Sequence, residues 1–189
     1  MTHLGEIIAS STSRFCAQCP TDAEAPDFGG FVLVDGGAQR ALAVVSEVRC
    51  GNFDAGRRPV AYGLGEDELY RQQPQLRELL ATEFEALLVG YAEADGPWRQ
   101  LLPPQPPRLH RFVFAAPADA IAAVTASGDY LRTLLAGEAG DDLLAAAVRA
   151  SLGAAAEPAA FLVRTGQALA RLVGDDYDRL AALLRRIRA

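Results

Sequence analysis

Residues 31–49 read FVLVDGGAQRALAVVSEVR, and this stretch decides the fold. Two apolar segments, Phe31–Val34 and Ala41–Arg49, flank the turn residues Asp35-Gly36-Gly37. Asp-Gly and Gly-Gly pairs favour tight turns because glycine adopts the positive φ angles that these turns require. The second segment is rich in valine, which favours strands. The stretch therefore predicts a β-hairpin.

Further apolar segments of strand length surround this hairpin. They predict strands at Glu6–Ala9, Phe15–Cys19, Phe84–Glu93 and Arg111–Phe114. Short strands joined by closely spaced glycine-rich turns are typical of a small closed barrel or sandwich, and the last strand would close a barrel. Short helical patterns interrupt the series at Glu66–Tyr70 and Gln75–Thr82. We therefore expect a β-barrel domain over residues 1–115, with a helical insertion near 66–82.

The hydrophobic period changes after Pro117 from two residues to between three and four, which predicts helices. We expect these helices to form an α-helical domain over residues 116–189, which gives an α+β fold class. The pattern predicts helices at Asp119–Ala126, Tyr130–Ala136 and Leu143–Leu152, with Asp141 as the N-cap of the third. A further helix is predicted to begin near Pro158. The last helix is predicted to be capped by Asp175 and to carry an apolar stripe of Tyr177, Leu180, Leu184 and Ile187.

The composition excludes several classes of function. The chain contains no lysine, so it supplies neither a P-loop lysine nor a lysine for a Schiff base or pyridoxal phosphate. Its formal net charge of −6 disfavours nucleic acids and anionic membrane surfaces as partners. The N-terminal residues lack the pattern of a signal peptide, and no apolar stretch approaches membrane-spanning length, so we expect a cytoplasmic protein.

The opening stretch of the chain also resembles a known domain. The segments Leu4–Ile8, Phe28–Val34 and Ala43–Val48, with Phe15 on the intervening strand, resemble the HAS barrel, which occurs in HerA helicases and in the catalytic-hexamer subunits of ATP synthases. More distinctive segments resemble a short bacterial family of HAS-barrel proteins over most of the chain; these are Gly56–Pro59, Thr82–Leu87, Gly90-Tyr91 and Leu102–His110.

The resemblance implies a docking role. In the larger relatives the barrel precedes a P-loop ATPase core, and it packs beside its neighbours in a ring or docks a partner protein. This chain lacks that core. The resemblance therefore implies a docking module without a motor, with a ring ATPase or a second copy of the chain as candidate partners.

Two cysteines three residues apart, Cys16 and Cys19, form a CxxC pair, and Cys50 is the third cysteine. A structural zinc site usually needs four ligands, and the sequence offers no second pair. Residues three apart on a strand also point to opposite faces. We expect buried thiols, with metal binding and redox chemistry as the alternatives, and we assign no metal site and no cofactor.

Arginine and proline residues mark the candidate interaction sites. Arg57 and Arg58 lie in a glycine-rich loop and would either bind phosphate or form surface ion pairs. Trp98 and Arg99 are of the residue types enriched at interface hot spots, and they precede an extended proline segment, Leu101–Pro107, with Pro103, Pro104, Pro106 and Pro107. The alternative is a rigid connection along the barrel edge.

Three hypotheses for the function follow. The first is a non-enzymatic adaptor or assembly factor that binds protein partners. The second is an accessory protein of a HerA-like DNA-processing ATPase, which would bind nucleotide or DNA weakly. The third is a small hydrolase or metal-dependent enzyme. The sequence favours the first because His3 and His110 have no evident carboxylate partner, no nucleophile elbow is present, and we assign no catalytic residue.

Overall fold

The computed structural model describes residues 3–21, 23–52, 60–94, 96–137 and 140–188. These residues form six strands and seven helices, with the strands before most of the helices. The strands are β1 (Gly5–Ser10), β2 (Arg14–Gln18), β3 (Phe31–Asp35), β4 (Gln39–Asn52), β5 (Leu80–Glu93) and β6 (Phe112–Ala115). The helices are α1 (Glu66–Gln72), α2 (Leu76–Leu79), α3 (Ala118–Thr125), α4 (Tyr130–Leu135), α5 (Gly140–Leu152), α6 (Pro158–Val173) and α7 (Tyr177–Arg188).

The six strands form a closed antiparallel barrel in the order β1-β2-β5-β4-β3-β6. Closure is achieved by β6, which pairs with β1 through Gly5 and Val113 and with β3 through Val34 and Val113. A barrel and additional helices are therefore confirmed, as is the α+β class. The division into two domains at residue 115 is not tested by these contacts.

The hairpin predicted at residues 31–49 is present. Asp35 Oδ1 accepts a hydrogen bond of 2.9 Å from the Gly37 N–H, and Gly37 has a φ of 79°. Strand β4 is longer than predicted, and it pairs with β5 as far as Asn52 opposite Leu80. Residues Leu80–Thr82 are therefore strand rather than the end of a helix, because pairing with β4 overrides their local helical pattern.

Two buried clusters stabilise the molecule. The barrel interior is filled mainly by valine, alanine and phenylalanine side chains, with Ile7, Phe15 and Phe84 among the largest. A second cluster lies between the outer face of β3, β4 and β5 and helices α3 to α7. It joins barrel residues such as Phe31 and Val89 to helix residues such as Leu144. The helices therefore cover one side of the barrel and share a core with it.

The helix ends differ from the predictions at two positions. Helix α5 begins at Gly140, so Asp141 lies in its first turn, where its carboxylate forms a salt bridge of 2.7 Å with Arg179. The N-terminus of α7 is capped by Asp176, not Asp175, because Asp176 Oδ1 accepts a hydrogen bond of 3.0 Å from the Arg179 N–H. Pro158 begins α6, as predicted.

The apolar stripe of α7 is also displaced. Leu183 and Ile187 are buried, Leu180 and Leu184 are half-buried, and Tyr177 is 73% exposed. The face of the helix that meets the shared core therefore contains Leu183, which was not predicted, and excludes Tyr177, which was. Of the helices in the described part of the chain, none combines the length and the hydropathy that a bilayer-crossing segment needs.

Candidate interaction surface

The residues before the proline segment are fixed to the barrel. Tyr91 and Arg99 exchange two backbone hydrogen bonds, of 3.0 and 2.8 Å. Gln100 Oε1 accepts a hydrogen bond of 3.3 Å from the Tyr130 N–H at the start of α4. These bonds anchor the chain between β5 and the helices, and they set the direction in which the proline segment leaves.

Trp98 is half-buried rather than fully exposed to solvent. Its side chain packs against the core shared by the barrel and the helices, and the Arg40 guanidinium lies 5.3 Å from the centre of its ring. Arg99 lies over Tyr91 at 5.9 Å and also approaches Glu93 Oε1 at 3.9 Å. Trp98 therefore contributes to packing, and its role as an interaction residue stays a prediction.

The proline segment, residues 101–107, alternates between buried and exposed side chains. Pro103 and Pro107 are buried, whereas Pro104 and Pro106 are exposed. The backbone bends at Pro104 and Gln105, and Gln105 O accepts a hydrogen bond of 3.3 Å from Gln39 Nε2. The segment is thus bent over the barrel rather than continuously extended, because two prolines pack inward on either side of the bend.

Large apolar side chains beside this segment are exposed. Leu101 is 64% exposed, Leu102 is 50% exposed and Leu109 is 54% exposed. Phe112 at the start of β6 is also exposed, and His3 lies against its ring with 4.4 Å between the ring centroids. Leu101 and Leu102 are adjacent in the sequence, and contiguous exposed apolar patches mark interaction sites.

A groove of about 320 Å³ lies between the proline segment and the turn that joins β3 to β4. Its lining is mostly apolar or backbone, with two arginines; the residues are Val34, Gly36, Ala38, Gln39, Ala41, Gln105, Pro106, Pro107, Arg108 and Arg111. Because Val34 and Ala41 belong to the interior cluster of the barrel, the groove lies at one end of the barrel.

A turn at residues 108–111 positions the two arginines. The Arg111 N–H donates a hydrogen bond of 3.4 Å to Arg108 O, and His110 has a φ of 64°. Few residues other than glycine adopt this left-handed region, although asparagine, aspartate and histidine are enriched among those that do. The His110 N–H donates to Ile7 O at 2.9 Å, which ties the turn to β1.

His110 has a carboxylate partner that the sequence did not indicate. Its Nδ1 lies 2.6 Å from Glu6 Oε1, and both side chains are substantially exposed. In the described part of the chain no serine, threonine or cysteine side chain hydrogen-bonds to this imidazole. The pair therefore lacks the nucleophile that an acid–base site of the serine hydrolase type requires.

The CxxC cysteines lie on different sides of the barrel wall. Cys16 is half-buried, with its Sγ 3.9 Å from Glu83 Oε2, whereas Cys19 belongs to the interior cluster. Burial, followed by the Glu83 carboxylate, raises the pKa of the Cys16 thiol. Burial also raises the pKa of the Cys19 thiol, and reactive thiols need the opposite shift. The described residues include no group of three or more His, Cys, Asp or Glu placed to hold a metal ion.

A second, larger cleft of about 570 Å³ lies between the barrel and the segment joining α4 to α5. Its charged residues include Arg14, Glu47 and Glu85, and Arg14 Nη1 forms a salt bridge of 2.9 Å with Glu85 Oε1. This charge pairing distinguishes the cleft from the groove.

The predicted interaction residues do not all come together. Arg57 and Arg58 lie outside the described residues. The proline segment carries the exposed Leu101 and Leu102, and its last two prolines line the groove together with Arg108 and Arg111, which the sequence did not single out as interaction residues. The available signal was the series of leucines and arginines that flanks the prolines. Neither the protein-family models nor the curated proteins give a match to this chain.

Proposed function

We propose that this chain is a non-enzymatic docking module that binds another protein through the surface made by the proline segment, Leu109 and the groove. The observation that carries the proposal is the exposure of Leu101 and Leu102 on a segment anchored at both ends. An anchored backbone loses little conformational entropy on binding, so exposed leucines on it contribute efficiently to affinity.

The HAS-barrel resemblance adds to this proposal. A closed antiparallel barrel is the architecture on which the resemblance depends, and a barrel of that family would dock to a larger assembly, such as a ring ATPase, or to a second copy of the chain. The three cysteines are free thiols, which supports a role in the reducing cytoplasm.

The test compares matched surface variants. The double variant Leu101→Ser, Leu102→Ser removes two exposed leucines from the proposed surface, and Val163→Ser removes an apolar side chain of similar exposure, 60%, from α6. Each tagged protein would be used to capture partners from native lysate, with quantitative mass spectrometry. We expect the wild type and Val163→Ser to capture the same protein in comparable amounts, and the double variant to lose it at least tenfold.

Two results would contradict the proposal. One is equal capture by the double variant, provided that its melting temperature matches that of the wild type. The other is the absence of any stoichiometric partner, together with a molar mass by light scattering that stays monomeric as concentration rises.

A further inference from the structure

The groove carries a local charge opposite to that of the molecule. The chain has a net charge of −6, yet among the described residues that line the groove the charged side chains are Arg108 and Arg111. Neither guanidinium forms a salt bridge or a side-chain hydrogen bond within the described part of the chain. Two unpaired arginines beside an apolar floor form a positive site on an otherwise acidic protein.

The carboxylates on the neighbouring elements are already engaged. Glu6 contacts His110 Nδ1 at 2.6 Å, Asp35 Oδ1 accepts the Gly37 N–H at 2.9 Å, and Glu93 approaches Arg99. None of these carboxylates contacts Arg108 or Arg111, so both guanidinium groups remain accessible to an external anion. The fold also fixes the position of the two arginines. The turn that carries them is held by the left-handed conformation of His110 and by the hydrogen bond of the His110 N–H to β1.

The apolar residues of the groove would select for an aliphatic group in the ligand, in addition to a negative charge. Val34, Ala41 and Pro107 are themselves largely buried and line the groove at the end of the barrel, while Gln39 Nε2 donates a hydrogen bond to Gln105 O. A ligand that fills this site would place an aliphatic group on the floor and a carboxylate at the arginines. Arginine binds carboxylates through paired N–H donors, which adds geometric selectivity.

We propose that the groove binds an extended acidic segment of a partner protein, in which a glutamate or aspartate side chain adjacent to an aliphatic residue pairs with Arg108 and Arg111. This inference rests on the proposed docking function and names the chemistry of its partner. The same site would exclude neutral and basic segments, because the two arginines would then be desolvated without a counter-charge.

Two capped fluorescent peptides test the proposal. Acetyl-(Leu-Glu)₄-amide carries aliphatic and acidic side chains in alternation, and acetyl-(Leu-Gln)₄-amide replaces each carboxylate by an amide of the same shape. Capping removes the terminal carboxylate, so that only side-chain acids are tested. Binding would be measured by fluorescence anisotropy at low salt and again at about 0.3 M salt, where exposed charge pairing is screened.

Variants of the protein test whether peptide binding depends on the two arginines of the groove. Arg108→Gln and Arg111→Gln, alone and together, remove the two charges, and Arg185→Gln on α7 removes an exposed arginine far from the groove in sequence. We expect the glutamate peptide to bind at least tenfold more tightly than the glutamine peptide at low salt. The double variant should lose about tenfold in affinity for the glutamate peptide, and Arg185→Gln should stay within twofold of the wild type.

Several outcomes would overturn the inference. They are equal affinity for the two peptides, no binding of either up to 1 mM, unchanged affinity of the double arginine variant, or binding to phosphatidylglycerol vesicles in place of the peptide. The leucine variants described above distinguish the two proposals. Partner capture that depends on Leu101 and Leu102 but not on the arginines would leave docking intact and remove only the acidic ligand.

Discussion

The two sides of the barrel are built in different ways. The outer face of β3, β4 and β5 is covered by helices, and the contact is almost wholly apolar, with Leu144 and Val148 fully buried. The barrel end beside the proline segment is covered by a single length of chain that is fixed by a few backbone and side-chain hydrogen bonds. Leucines and unpaired arginines remain exposed there.

Under the proposed docking function, this difference would separate the residues that determine stability from those that determine binding. Side chains in the shared core have no free surface to offer a partner, and changing them should destabilise the fold. Side chains at the proline segment cover little of the core, so changing them should alter binding with little change in stability. The following predictions test whether the two regions differ in this way.

The largest effect should come from Gly29, which precedes β3 and lies against α5. Gly29 has a φ of 80°, and a Cβ there would lie 2.8 Å from the carbonyl carbon of Ala146 and 2.9 Å from the Ala147 nitrogen. We expect Gly29→Ala to lower the free energy of unfolding by about 4 kcal/mol, from backbone strain and from a clash with helix backbone.

Gly37 is the matched control for that substitution. Its φ is 79°, but nothing lies within 4 Å of an added Cβ. Gly37→Ala should therefore cost only the strain, about 1 kcal/mol. Urea denaturation measures the free energy of unfolding of both variants. Equal losses of that free energy would show that α5 does not pack closely against Gly29.

The next largest loss in the free energy of unfolding is expected from the first of two leucines that can be compared. Leu144 is fully buried in the shared core, and Leu102 is half exposed on the proline segment. We expect Leu144→Ala to cost about 3 kcal/mol, because it leaves a cavity, and Leu102→Ala to cost less than about 0.5 kcal/mol. Thermal or urea unfolding measures both, and a large loss for Leu102→Ala would mean that the proline segment belongs to the core.

Trp98 lies at the junction of the two regions, and its effect should be intermediate. Its half-buried ring packs against the shared core and under Arg40. Trp98→Ala should cost about 2 kcal/mol, whereas Tyr177→Ala, at an aromatic ring that is 73% exposed, should cost less than about 0.5 kcal/mol. If Trp98→Ala abolished partner capture without changing the melting temperature, Trp98 would be a binding residue instead.

The smallest effect at neutral pH should come from Tyr130. Its side chain is 1% exposed, and its hydroxyl has no hydrogen-bond partner among the described residues. Because an unpaired buried hydroxyl costs its desolvation free energy, Tyr130→Phe should raise the free energy of unfolding by about 1 kcal/mol at pH 7.

At alkaline pH the difference in the free energy of unfolding between Tyr130→Phe and the wild type should become larger. Burial raises the pKa of Tyr130, and the nearby Ser151 hydroxyl only partly opposes the shift. The stability that the neutral phenol contributes is fully present below the unfolded-state pKa of about 10, and is lost as pH rises toward the folded-state value. At pH 11 the stability advantage of Tyr130→Phe over the wild type should be larger than at pH 7 by about 1.4 kcal/mol. Parallel pH dependences of the two proteins would contradict this.

Local patterns were sufficient to predict the hairpin. The turn residues at Asp35-Gly36-Gly37 and the alternation in the flanking strands depend on adjacent residues, and the hairpin forms as predicted. Patterns failed where a distant partner decides the structure. Leu80–Thr82 has a helical pattern, but it becomes strand because β4 extends far enough to pair with it.

The candidate surface shows the same limit. The prolines and Trp98 are conspicuous in the sequence, and the structure does place the proline segment at the surface. The groove depends on barrel closure, which brings the β3–β4 turn to Arg108 and Arg111 across more than seventy residues of sequence. The burial of Pro103 and Pro107, and the half-burial of Trp98, depend on the same tertiary contacts.

The closure of the barrel also has a kinetic consequence. Strand β1 pairs with β6 through Glu6 and Phe112, which are separated by more than one hundred residues, so this ladder forms only after a long loop has closed. The helices, by contrast, depend on contacts between near neighbours and can form early. We therefore expect the last slow step of folding to be the joining of these two strands, so that β1 and β6 would be the last unpaired edges of the sheet during folding.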